Sequence, residues 1–108
     1  MYQPYFTDDF QNKLDKDHRR DRATHDRVTK TVDSIIENPE HNTFPLIADL
    51  LGKRKKRAGD IRIFFAICEE CREKGYTQLN GCEGCETYPD DAIMFFDYSF
   101  RKDAYKKR

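Results

Sequence analysis

All four cysteines of the chain fall in one stretch, CEECREKGYTQLNGCEGC, at Cys68, Cys71, Cys82 and Cys85. The spacing is C-x2-C, ten residues, then C-x2-C. Two intervening residues let both sulfurs of a pair turn inward on a tight knuckle, and two pairs complete a tetrahedral four-thiolate shell suited to Zn2+. Gly81 and Gly84 give the second knuckle backbone freedom. Disulfides are disfavoured, because the N-terminus MYQPYFTDDF lacks the basic start and apolar stretch of a secretory signal. A thioredoxin-like redox pair needs a strand–helix context that the flanking pattern does not supply. An iron–sulfur centre takes the same four ligands, and spacing alone does not separate it from the favoured zinc. With every position held by sulfur, no site is open to water, so the metal is expected to be structural. It would hold a zinc-ribbon hairpin over 68–91, inserted in a larger domain.

The second group with chemical potential is basic. Residues 51–67 hold 6 Lys/Arg against 1 Asp/Glu, and residues 92–108 hold 5 against 2. Between them, 68–91 hold 2 against 7, and residues 1–50 hold 7 against 10, so a net charge of zero hides blocks of opposite sign. If the two basic blocks meet in space, they form a positive face suited to a phosphate backbone. The acidic ribbon would repel such a backbone, which makes it a stabiliser or a protein contact rather than a nucleic-acid binder.

These groups need a scaffold. At 108 residues and 12.9 kDa the chain is expected to form one domain. Eight Phe and six Tyr are enough for one small core. The longest apolar runs, Ile63 to Cys68 and Ala92 to Phe96, are far short of a membrane span of about 20 residues. No membrane association and a cytoplasmic location are the expectations. Tyr2, Tyr5 and Phe6 suggest an opening strand. Thr7 reads as an N-cap followed by Asp8 and Asp9, with Phe10 and Leu14 at helical spacing. The polar stretch KDHRRDRATHDR reads as a solvated helix end or helix junction. Val28, Val32, Ile35 and Ile36 make the apolar stripe of a second helix, which Asn38-Pro39 ends. FPLIADLL (44–51) is short, and its period does not separate a helical turn from a buried connector. KRKKR and IRIFFAI read as two strands joined at Ala58-Gly59-Asp60, and AIMFFDY as a last strand from Ala92 to about Tyr98. Helices followed by strands predict an α+β fold, a small antiparallel sheet covered by two N-terminal helices.

The order of a basic strand, Arg57, Gly59-Asp60, Ile61-Arg62, two apolar strands and then Arg101-Lys102-Asp103-Ala104-Tyr105 resembles the RelE/ParE toxin superfamily. So do the two helices, the Asn38-Pro39 stop and Leu51-Gly52 before the basic strand. The resemblance covers most of the chain outside 68–91. It implies the toxin of a toxin–antitoxin pair, with a cognate antitoxin as partner. The RelE branch cleaves messenger RNA on the ribosome; the ParE branch keeps the fold and acts on DNA gyrase. By position, Arg62 matches the arginine after the family's turn, Arg101 the arginine after the last strand, and Tyr105 the terminal aromatic. Lys53, Lys55 and Arg57 occupy the basic strand. The resemblance thus implies Arg62, Arg101 and Tyr105 as catalytic residues, and Lys53, Lys55 and Arg57 as RNA contacts. Arginine forks can clamp a phosphate and stabilise developing charge, and a tyrosine in a positive field has a lowered pKa.

The chain departs from the pattern in carrying Phe100 where many members have histidine. His18, His25 and His41 all lie in the N-terminal half, so an endonuclease here would work through Lys, Arg and Tyr without a catalytic metal. The alternatives are a non-catalytic protein of the same fold, either a ParE-like gyrase inhibitor or a binding module. In that case Arg62 is a solvent-facing strand residue and Tyr105 packs the tail against the sheet.

Overall fold

The computed structural model describes residues 1–41, 43–45, 53–75 and 87–100. The opening strand β1 (Gln3–Phe6) leads into helices α1 (Asp8–Arg20) and α2 (Arg22–Glu37). Strands β2 (Thr43–Pro45), β3 (Arg54–Ala58) and β4 (Ile61–Ile67) follow, then a short helix α3 (Cys68–Lys74) and the long strand β5 (Ala92–Phe100). No helix among the described residues is long and apolar enough to cross a membrane.

Local chemistry accounts for the boundaries. Thr7 is the N-cap of α1: its hydroxyl accepts from the Phe10 amide at 3.2 Å and donates to the Phe96 carbonyl at 2.8 Å, so the cap also ties the helix to β5. Asp21 closes α1 and opens α2. Its amide bonds the Asp17 carbonyl, and its carboxylate accepts from the Thr24 amide and hydroxyl. Those bonds, the hydroxyl's first, hold the Asp21 carboxyl below its ordinary pKa. The polar stretch around residue 21 is therefore the helix junction. Asn38 caps α2 before Pro39, as the stop signal requires.

The sheet order is β1-β5-β4-β3-β2. β2, β3, β4 and β5 pair antiparallel, but β1 runs parallel to β5, with Gln3 opposite Ala92 and Phe6 opposite Phe95. The expected antiparallel sheet is thus mixed. The parallel pairing brings Thr7, the α1 N-cap, against β5, where its amide donates to the Phe95 carbonyl at 3.0 Å. The edge strands are β1 and β2, and the two strand prolines, Pro4 and Pro45, sit on them, where a missing N–H costs least. Thr43–Pro45 is strand rather than the helical turn or connector considered for 44–51, whose remaining residues lie outside the described ones.

α1 and α2 cover one face. Phe10, Val28, Val32 and Ile35 pack on Ile61, Ile63, Phe65, Ile67, Ile93, Phe95 and Tyr98. Phe95 is fully buried among Phe6, Phe10 and Phe65, with ring centroids at 5.4, 5.7 and 5.8 Å. The opposite, or far, face carries a smaller cluster of Cys68, Ala92 and Met94, with Tyr5, Tyr88 and Phe96 packed against it.

The first C-x2-C opens the helix Cys68–Lys74 directly after β4, so the strand–helix context that the flanking pattern did not reveal is present here. Glu69, Glu70, Arg72 and Lys74 favour a short helix with acidic start and basic end. Gly75 ends it at φ +74°, a left-handed position that glycine takes without strain. Cys82 and Cys85 lie outside the described residues.

Candidate nucleic-acid interface

The β3–β4 register decides where each basic side chain goes. Lys56 lies opposite Ile63 and Ala58 opposite Ile61, so this set shares the helix-covered face. Lys55 lies opposite Phe64 and Arg57 opposite Arg62, which places them on the far face. Gly59, at φ +65°, and Asp60 make the tight turn that fixes this register. Just before β3, the Lys53 ammonium lies 4.8 Å from the centroid of the Phe96 ring, a cation–π contact. Lys53, Lys55, Arg57 and Arg62 therefore converge on one face. The second set is otherwise engaged: Lys56 donates to the His41 carbonyl at 3.2 Å, and Arg54 is taken by Glu70 and Thr43.

Arg62 is not the exposed strand residue that its alternation suggests. Only 3% of it is exposed. One guanidinium nitrogen, Nη1, donates to the Gly59 carbonyl at 3.3 Å, while Nε is buried without a hydrogen-bond partner. An orphaned buried donor costs about 1–3 kcal/mol. A guanidinium on a face it shares with other cations is suited to an anionic oxygen once its cover is displaced. Ser99 lies opposite Arg62 on β5.

Two of the acids among the described residues near this face are paired. Asp97, opposite Phe64, is paired with Lys13 at 2.6 Å. Glu70 of α3 takes two hydrogen bonds from Arg54, at 2.8 and 3.2 Å. That two-point bond outweighs desolvation and raises the Arg54 pKa further above its ordinary value. Both side chains are less than one-fifth exposed. Removing one partner of such a pair strands the other, so Glu70→Ala is expected to cost about 2–4 kcal/mol. Arg54→Ala should add little to it in a double-mutant cycle followed by urea melts. Additive losses would show that the two side chains act separately.

Sequence reasoning passed over Phe64 and Phe96, the aromatic members of the far face, and the β-bulge that shapes it. Phe65 pairs with Phe95 but Phe64 with Asp97, so Phe96 is the extra residue of β5. The bulge turns Tyr98 back to the helix face. Its hydroxyl donates to Asp17 at 2.5 Å. Burial first, and that bond second, hold its pKa far above the ordinary tyrosine value, so Tyr98 is a structural donor and no base. His18 and His25 stack edge to face at 4.8 Å on α1 and α2, across the sheet from Arg62. His18 and His25 thus lie on the helix-covered side. Arg101 and Tyr105 lie outside the described residues.

No protein-family model and no curated protein matches the chain. Solved structures do. The chain is similar to the YoeB/ParE toxin from Agrobacterium tumefaciens, at TM-score 0.65 and 11% identity, over 91% of this chain and 96% of that one. It is also similar to a chain of the toxin–antitoxin complex RelBE2 from Mycobacterium tuberculosis, at TM-score 0.65 and 17% identity, over 93% and 98%. YafQ from E. coli aligns at TM-score 0.58 and 11% identity, over 97% and 99%. The mixed sheet under two N-terminal helices is the fold of these toxin structures, retained at 11 to 17% identity.

Proposed function

We propose that this chain is the toxin of a toxin–antitoxin pair and an endonuclease that cleaves messenger RNA on the ribosome. The observation that carries the reading is Arg62: a buried guanidinium with an unused donor, on the face that also holds Lys53, Lys55 and Arg57. In-line attack by a 2′-hydroxyl on the adjacent phosphorus forms a 2′,3′-cyclic phosphate and expels the 5′-oxygen, and charge builds on the non-bridging oxygens. Arg62 is placed to meet that charge, and Lys53, Lys55 and Arg57 to hold the flanking phosphates. Arg101 and Tyr105 take the roles of second phosphate clamp and proton acceptor, as the resemblance implies. The similarity to chains solved as toxin–antitoxin complexes supports a cognate antitoxin as partner. The reading includes a structural Zn2+ held by Cys68, Cys71, Cys82 and Cys85, with 68–91 as an insertion in a single RelE-like domain.

The placement of His18 and His25 on the helix-covered side favours one second reading, a non-catalytic ParE-like protein that grips a protein target such as gyrase, or a binding module. Induction in a bacterial host, with messenger RNA ends mapped by primer extension, separates the two. The nuclease reading expects growth arrest with new ends at in-frame codon positions, both lost in a folded Arg62→Ala/Arg101→Ala variant. Arrest without new ends would sink it in favour of the protein-target reading.

A further inference from the structure

The far face holds two rings that the main core does not use. Phe65 and Phe95 are fully buried, whereas their neighbours Phe64 and Phe96 stay partly exposed on the opposite side of the sheet. At the β5 bulge two residues, Phe96 and Asp97, stand opposite Phe64 alone, an irregularity of the kind that re-aims side chains beside a site. Phe96 packs on Cys68, Ala92 and Met94, together with Tyr5 of β1 and Tyr88, whose ring centroids are 4.7 Å apart. The Phe96 ring is braced by this cluster and still partly open. Asp97 beside it is drawn to Lys13 at 2.6 Å, and the charge over the ring is the Lys53 ammonium, 4.8 Å from its centroid. Arg62 stands two positions from Phe64 on β4, about 7 Å along the strand.

Cations that track phosphates, beside aromatic faces on which bases stack, are the combination that binds an unpaired nucleic-acid strand. We propose that Phe96 is the stacking platform for one unpaired RNA base beside the phosphate met by Arg62, with Phe64 flanking it, and that Lys53 covers the ring until a phosphate draws it away. An ammonium is held more strongly by a phosphate oxygen, through a charge-assisted hydrogen bond, than by a partly hydrated phenyl face, so the exchange favours RNA. Neither ring carries a donor or an acceptor. The platform therefore fixes the position of a base without reading which base it is. This site deepens the nuclease reading and rests on it.

The test uses the full chain and ribosomes programmed with a defined message, the A site empty and its codon blocked against cleavage by 2′-O-methyl groups. One nucleotide of the codon at a time is 2-aminopurine, whose emission falls when it stacks, and the chain has no Trp to obscure it. One codon position is expected to be quenched. An abasic nucleotide there should weaken binding about five- to 100-fold, the usual effect of one stacked base. Phe96→Leu should weaken it equally and remove the quenching, while Phe96→Tyr, which keeps the ring, should restore both. Phe96→Leu with the abasic message should lose no more than either change alone. Lys53→Ala should keep the quenching and lower the salt slope of binding by about one. Abasic messages bound within about twofold of the intact one at every position, or losses that add, would overturn the platform. The first of these needs no variant, so it holds even where Phe96→Leu fails to fold. Loss of quenching in Lys53→Ala, or an unchanged salt slope, would overturn the exchange. Full binding and cleavage of the unblocked message by folded Phe96→Leu would overturn the platform, leave the rings to a protein partner and keep the nuclease. A wild type that neither binds nor cleaves would overturn the nuclease reading and the platform with it.

Discussion

Arg62→Met is expected to lower the proposed cleavage steeply without weakening the fold. The substitution keeps the volume of the stem and removes a guanidinium whose Nε is buried and unpartnered. Stability should therefore hold, or rise by about 1 kcal/mol as the desolvation cost disappears. Cleavage, measured in a translation extract programmed with a defined message, should fall about 10²–10³-fold, the usual loss when one donor to transition-state charge is removed. Arg62→Lys should fail almost as badly, because an ammonium cannot present the guanidinium fork. The paired readout carries the argument. A folding residue would lose stability first and activity in proportion, whereas a functional residue held under strain shows the opposite signs. Cleavage within a few-fold of wild type would remove Arg62 from the site, and a stability loss above about 2 kcal/mol would make it a packing residue.

The largest stability effect is expected at Phe95. Its ring is fully buried, stacks on Phe6 of β1 and makes tilted contacts with Phe10 of α1 and Phe65 of β4, so it joins the sheet to the helix layer. Phe95→Ala should cost about 3–5 kcal/mol, a large part of the roughly 5–15 kcal/mol that holds a domain of this size together. Phe95→Leu should cost less, about 1–2 kcal/mol, because it keeps much of the volume. The control is Phe64→Ala, one strand position away from Phe65 but on the partly exposed far face, where the loss should stay near 1 kcal/mol. Urea melts of the three variants check the order. A small loss at Phe95, or an equal loss at Phe64, would show that the far face carries as much of the fold as the helix-covered one.

The parts of the structure legible in the sequence are those set by local chemistry. Thr7, Asp21 and Asn38-Pro39 act through hydrogen bonds or sterics within a few residues, and each marks a real boundary. The Gly59 turn is equally local, and through it the alternation of Lys53, Lys55 and Arg57 with Arg54 and Lys56 becomes two separate faces. Features that depend on distant partners were not legible. The parallel pairing of β1 with β5 joins opposite ends of the described chain. The bulge at Phe96 breaks the period of two, so simple alternation groups Tyr98 with Met94, whereas the structure sends them to opposite faces. The burial of Arg62 follows from what packs over that strand, which a period cannot show. For the cysteines the spacing suggested metal ligands but not the helical state of Cys68–Lys74, which fits its charged residues and the αL glycine that ends it.

The position of β5 has a consequence for how the protein comes into being. It is the last strand of the sheet to be synthesised, yet it lies between β1 and β4. Until it emerges, β1 with the helical pair and the β2–β3–β4 meander are separate fragments, with Ile61, Ile63 and Phe65 still lacking the strand that completes their core. Such a long-range closure delays completion until β5 has emerged and makes it slow compared with a helical bundle of this length. A chain that carries the Arg62 strand but not yet β5 therefore has an incomplete core, and a product truncated before residue 92 is expected not to fold. The same interval leaves apolar strand edges open to pairing with another chain before the sheet closes.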